Sequence, residues 1–255
     1  MGYASTRLPP LRPIAGRHPR DVLRIAHRGG ANGAEDYSVA NLHAIGSLGA
    51  HLVELDLHVT RDDQLVVHHD PALPLGAGPW WIADHTAEQL RALVPESRVP
   101  SASTVIRATR EAGLGLYADI KTISAVAVAS LVAVLHDEGM AERVILASAR
   151  SDIVAMCSQV APELPRSVLF ASVHEEPVQL AQSVRADFVH PCWEVQPRPD
   201  QLLAGPWLAR VRERGLGVIC WHEERPEVVK ALYALGVDGI CTDEPPLLTQ
   251  IASNS

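Results

Sequence analysis

No two of the four cysteines in this 255-residue chain stand in a CxxC pair. Cys157, Cys192, Cys220 and Cys241 are scattered, and three of them sit in apolar, strand-like runs, the pattern of reduced, buried thiols in a cytoplasmic protein. A basic surplus is missing too. Lys and Arg total 22 against 30 Asp and Glu, for a formal net charge of -8. That argues against a nucleic-acid partner, which is met by a net basic surface. It leaves room for a small phosphate substrate, which needs only a local cationic pocket. No apolar run is long enough to span a bilayer. Residues 1–20 carry four prolines and scattered arginines without an apolar h-region, so they read as an arm and not as a secretion signal. No GxGxxG follows the first strand-like run, and no HExxH occurs anywhere.

What is present is a core-sized store of apolar residues, 47% of the chain, in an alternating rhythm. Strands are expected at 23–27, 52–59 with an extension at 65–68, 115–120, 144–148, 166–170, 187–190, 217–221 and 239–242. Helices are expected at 39–48, 101–112, 124–138, 152–160, 175–183, 200–214 and 226–235. Ser124 is placed to cap one helix, and Gly49, Gly113, Gly139, Gly215 and Gly236 each follow one. Eight strands alternating with helices over about 250 residues fit a (β/α)8 barrel. A doubly wound open sheet is the alternative. Residues 71–100 show little regular pattern and include Trp80 and Trp81; they read as an excursion over the barrel mouth.

The polar residues favour the barrel. His27, Asp70, Asp119 with Lys121, His190, Trp221 with His222, and Asp243 all fall at or just past strand C-terminal ends, the rim where barrels build their sites. Within Leu52–Thr60, Glu54, Asp56 and His58 share a strand face. Two acids among leucines and valines are costly to bury unless a cation meets them. A divalent metal answers that need, and carboxylates suit magnesium or calcium. Asp119 could be a third ligand, and Lys121, two residues on, shares its face. Arg28 suits bidentate phosphate binding. His27 and His69 are candidates for moving protons beside the metal. Each also has a plain structural reading: an ion-paired core for the acids, a satisfied polar contact for each histidine, rim packing for the tryptophans.

His27-Arg28-Gly29, Glu35, Gly49-Ala50-x-x-Val53-Glu54-x-Asp56, Thr60-x-Asp62 and His69-Asp70-Pro71 together resemble the signature of the glycerophosphodiester phosphodiesterase family. Asp119-x-Lys121 resembles its acid-x-Lys element, and the run from Gly236 to Pro245 its closing strand, so the resemblance spans residues 23 to 248. It differs from the family pattern at Ala34-Glu35-Asp36-Tyr37, at Asp119 in place of a glutamate, and at Trp221-His222-Glu223-Glu224.

The resemblance implies a TIM barrel that hydrolyses glycerophosphodiesters to an alcohol and glycerol 3-phosphate with one divalent metal. The resulting expectation is an arm at 1–20 and a single-domain α/β (β/α)8 barrel at 21–255, with a short excursion after the second strand. Glu35, Glu54, Asp56 and Asp119 are expected to hold Mg2+ or Ca2+, with Mn2+ admissible. Arg28 and Lys121 are expected on phosphate, and His27 and His69 as the acid–base pair. Trp221, His58 and His190 are expected near the substrate, with Trp80 and Trp81 toward its alcohol. Either water or a neighbouring substrate hydroxyl can attack. The second route would make a phospholipase D-like lyase that gives a cyclic phosphate; a phosphodiesterase of a non-lipid pathway and a vestigial, non-catalytic barrel are further alternatives. The expected partner is a small phosphodiester, not nucleic acid, in a cytoplasmic protein compatible with a homo-oligomer.

Overall fold

The computed structural model describes residues 7–14, 16–29, 37–76 and 78–253. In chain order the strands are β1 (Leu23–Ala26), β2 (Leu52–Val59), β3 (Leu65–Val67), β4 (Ala72–Leu75), β5 (Gly78–Trp81), β6 (Gly115–Ile120), β7 (Val144–Ser148), β8 (Arg166–Phe170), β9 (Phe188–Pro191), β10 (Gly217–Cys220) and β11 (Gly239–Thr242). Eight of them run parallel in the order β1-β2-β6-β7-β8-β9-β10-β11, and β11 pairs with β1 to close a TIM barrel. The helices are α1 (Val39–Ser47), α2 (Ala87–Leu93), α3 (Ala102–Glu111), α4 (Ala125–Asp137), α5 (Ser151–Val160), α6 (Pro177–Val184), α7 (Pro199–Leu203), α8 (Pro206–Glu213), α9 (Pro226–Leu235) and α10 (Pro245–Ser253). None is long and apolar enough to cross a membrane.

Strand alternation sorts each strand into two chemistries. Outward residues such as Val53, Leu55 and Leu57 join Leu42, Ile45, Val105 and Ile106 in a core between barrel and helices. Val189, Val218 and Ile240 do the same with Val211, Val228 and Leu232 on the other side. Inward residues form a second core: Leu23, Ile25, Leu52, Tyr117, Ile145, Phe188 and Ile219. Leu11, from the segment before β1, closes this inner core from below. Glycine is required at 217, because a Cβ there would overlap the Phe188 ring. Moving up each strand two residues at a time leads from this apolar plug to polar side chains: Leu52 to Glu54, Asp56 and His58; Tyr117 to Asp119 and Lys121; Ile25 to His27; Cys241 to Asp243.

The structure departs from the sequence reading in four places. The stretch at 65–68 does not extend β2. It turns back at Thr60–Gln64, where Asp63 takes φ 56, and pairs antiparallel with β2 as β3. The helix expected at 200–214 is broken into α7 and α8 at Gly205-Pro206; Gly205 has φ 69, and a proline cannot supply an interior N–H. The excursion contains order that had not been read: the β4–β5 hairpin and α2, whose Thr86 and Gln89 form a complete capping box. Helix α10 was also missed.

Candidate active site

Three acids meet at the C-terminal mouth. The β2–β6 register sets Asp56 directly beside Asp119, and Glu54 lies one inward step below Asp56. All three are buried, and one oxygen from each lies within 4.8 Å of the others. Glu54 Oε1 and Asp119 Oδ1 have no hydrogen-bond partner among the described residues. Burial raises the Glu54 carboxyl well above the usual range, and Asp56 and Asp119 add to it. Burial also raises Asp119. Orphaned buried oxygens with upward-shifted acidities fit a site built for a hard divalent cation.

Cations and a phenol border the acids. Lys121 Nζ lies 2.8 Å from Asp56 Oδ1 and 2.5 Å from Asp119 Oδ2. Burial pulls its ammonium down, but Asp119 and Asp56 outweigh this and hold it above its ordinary value. Arg28 Nε stands 3.6 Å from Asp56 Oδ2, and the Tyr37 hydroxyl donates to that same oxygen. Arg28 sits in the left-handed region at φ 50, which turns its backbone N–H onto Glu54 Oε2 at 3.0 Å. A non-glycine residue held there is a mark of functional sites.

His27 leaves β1 into this turn. Its Nδ1–H donates to Asp243 Oδ1 at 2.7 Å, so in the neutral ring the lone pair is at Nε2, which is buried and has no hydrogen-bond partner among the described residues. The hydrogen bond to His27 lowers Asp243. Trp221 meets His27 edge-on at 4.5 Å, and His222 stacks on it at 5.1 Å. His69 arrives by the β2–β3 turn: His68 N–H donates to Asp56 O, and His58 Nε2–H donates to His69 O at 3.3 Å. Burial lowers the pKa of His58. His69 Nδ1–H donates to Asp70 at 2.8 Å, which again leaves Nε2 as acceptor. Arg28, Tyr37, His68, His69, Asp70, Ser97 and Arg98 line an open cleft of about 310 Å³. A larger cavity of about 350 Å³ lies outside the barrel beside Asp63, Arg91 and Ile106. It touches none of these candidates, so its size carries no functional weight.

The sequence model of the Glycerophosphoryl diester phosphodiesterase family matches residues 27–247, which begins at His27 and runs past Asp243. The chain belongs to that family. It is a phosphodiester hydrolase of the glycerophosphodiester class. The enzyme is 26% identical over 251 residues to a glycerophosphodiester phosphodiesterase of Caldanaerobacter subterraneus subsp. tengcongensis, covering 90% of this chain and 97% of that one. Its fold matches a glycerophosphodiester phosphodiesterase of Parabacteroides distasonis with TM-score 0.77 and 22% identity, over 94% of this chain and 99% of that one. An Oleispira antarctica phosphodiesterase, solved with its product sn-glycerol-3-phosphate, shares the fold with TM-score 0.76 and 19% identity, over 91% and 97%.

Of the enzyme's candidate residues, Glu54, Asp56 and Asp119 meet, Arg28 pairs with Asp56, and Lys121 pairs with Asp56 and Asp119, while His27 and His69 stand at the margin of this group. Glu35 lies outside the described residues. His190 offers no surface to a ligand: it is fully buried, and its Nδ1 is 2.5 Å from the Tyr117 hydroxyl. Burial, then Lys121, pushes it down to about 3. His58 is likewise buried and acts on the His69 backbone. Trp80 and Trp81 stand on β5, with Trp80 packed on His85, and neither lines the cleft. Tyr37, Arg98 and the role of Asp243 were missed. Tyr37 and Arg98 are distant in sequence from the residues they join, and no local pattern marks them; Asp243 carried a signal in its place at a strand end.

Proposed function

We propose that the enzyme hydrolyses a small glycerophosphodiester to an alcohol and glycerol 3-phosphate at this mouth. The buried trio Glu54, Asp56 and Asp119, with orphaned oxygens and flanking histidines, carries the reading. These three, with Glu35, would hold one divalent cation, Mg2+, Ca2+ or Mn2+, which supplies Lewis-acid polarisation of a phosphoryl oxygen. Arg28 and Lys121 hold the remaining phosphoryl oxygens; both are already fixed by Asp56, so they are oriented before substrate arrives. His27 and His69 each keep Nδ1 engaged with a carboxylate and Nε2 ready to accept. One takes the proton from the attacking oxygen, and the other, protonated, gives it to the leaving alkoxide. Tyr37 fixes Asp56 through its hydroxyl, and Asp243 fixes the His27 ring. Trp221, edge-on to His27, forms an apolar wall beside the leaving group. Four free thiols support a reducing, cytoplasmic setting.

The test is a panel of glycerophosphodiesters, phosphomonoesters and nucleic acids, with products resolved. Glycerol 3-phosphate and free alcohol from the diesters alone are expected. A cyclic phosphate would assign the attack to a substrate hydroxyl, and activity confined to monoesters or nucleic acids would refute the reading.

A further inference from the structure

His27, His222 and Asp243 form a second cluster that shares no residue with the three-acid group. The donors come from three separate strand ends: His27 from β1, His222 just past β10, Asp243 just past β11. The His27 and His222 rings stack at 5.1 Å with 25° between planes, so both present a nitrogen edge to the same carboxylate. His27 Nδ1 lies 2.7 Å from Asp243 Oδ1, and His222 Nε2 lies 3.8 Å from Asp243 Oδ2. Glu224 Oε2 is 3.6 Å from His222 Nε2. Its other oxygen is tied down by Asp243 N at 2.9 Å and Thr242 Oγ1 at 3.2 Å, which aims the carboxylate at the cluster. Donors of a tetrahedral zinc with bonds near 2.0–2.1 Å stand about 3.3 Å apart. The separations here bracket that distance. The Asp243 side chain is about half exposed, so an ion can enter.

We propose that His27, His222, Asp243 and Glu224 form a second divalent-cation site, selective for Zn2+ or Co2+ over Mg2+, whose occupation inhibits the enzyme. Two imidazoles and two carboxylates suit borderline metals; the all-oxygen trio suits hard ones. Coordination needs the Nδ1 lone pair, so the single N–H proton of the neutral ring, now donated to Asp243, moves to Nε2 as the ring changes tautomer. The ring then cannot accept a proton at Nε2. The binding claim stands by itself; the inhibition claim rests on the reading of His27 as a proton carrier.

The experiment is a Co2+ titration of the full-length enzyme in excess Mg2+, followed by visible absorption, with Zn2+ inhibition measured in parallel. Tetrahedral Co2+ with nitrogen donors absorbs strongly, and six-coordinate oxygen-bound Co2+ weakly. The native protein should develop the strong band. His222→Phe keeps the ring against His27 but removes the donor, so it should lose the band and keep Mg2+-supported hydrolysis. Loss of even an outer partner of a metal ligand weakens binding about 10- to 100-fold, so the inhibitory Zn2+ concentration should rise at least about tenfold in His222→Phe. Absence of the strong band, its persistence in His222→Phe, or equal Zn2+ inhibition of both proteins would overturn the proposal. A band lost in His222→Phe supports the site even if every diester tested is inert, which separates its failure from failure of the proposed function.

Discussion

His51, at the bottom of the barrel, should make the protein lose stability as it is acidified. The ring is buried, with Arg24 N–H donating to Nδ1 at 3.2 Å and Arg24 Nη2 only 2.6 Å from Nε2. Burial, then the Arg24 charge, pushes it down to about 3. An unfolded chain binds that proton near pH 6.5, so the depressed native value favours unfolding as pH falls through the unfolded value. Between pH 7.5 and 5 the linkage amounts to ~2 kcal/mol for this one group. Glu54 and Asp119, with raised native values, titrate in the opposite sense and gain stability on acidification, so the total profile is a sum of opposed effects. The clean measurement is therefore a difference. Urea unfolding of the native protein and His51→Gln, followed by circular dichroism, should show the native protein's advantage shrinking by ~2 kcal/mol from pH 7.5 to 5. A gap constant to within a few tenths, or one that widens, would refute the reasoning.

Four substitutions test the site and its scaffold. His27→Ala and His69→Ala should each lower kcat by about 10²- to 10⁴-fold with the fold intact, and the double variant should be little worse than the poorer single one, because the pair acts as a unit. A near-native His69→Ala would move the role to another group. Tyr37→Phe removes the hydroxyl that donates to Asp56, so it should raise the metal concentration for half-activity about 10- to 100-fold, with activity recovered at saturation. Gly217→Ala drives a Cβ into the Phe188 ring and should destabilise by about 1–3 kcal/mol, read as a lower thermal midpoint at unchanged kcat.

The eight barrel strands were legible because buried parallel strands are near-continuous apolar runs, and the acids were legible because Glu54 and Asp56 interrupt such a run on one face. Ser124 caps α4 as its position suggests, accepting from Ala127 N. Where a signal was local but weak it was overlooked: Thr86-x-x-Gln89 opens α2, yet a seven-residue helix in a Trp- and Pro-rich excursion gives little periodicity to see. The break at Gly205-Pro206 is in the sequence, but the apolar spacing on either side hid it. The place of His190 is not legible in the sequence, because a polar residue at a strand end can face the rim or be sealed beneath it, and only the neighbouring layers decide. Tyr37 and Arg98 depend on chain segments that meet the barrel from outside it, so no spacing within one strand could reveal them.

The central claim, that the Glu54–Asp56–Asp119 trio holds a metal that supports diester hydrolysis, is tested most directly by metal re-addition. The enzyme stripped by chelator, then titrated with Mg2+ while glycerol 3-phosphate release from a glycerophosphodiester is followed, should start inactive and regain full activity, and Asp56→Ala should not respond at any concentration. Full activity in excess chelator, or an Asp56→Ala protein that responds like the native one, would contradict the account.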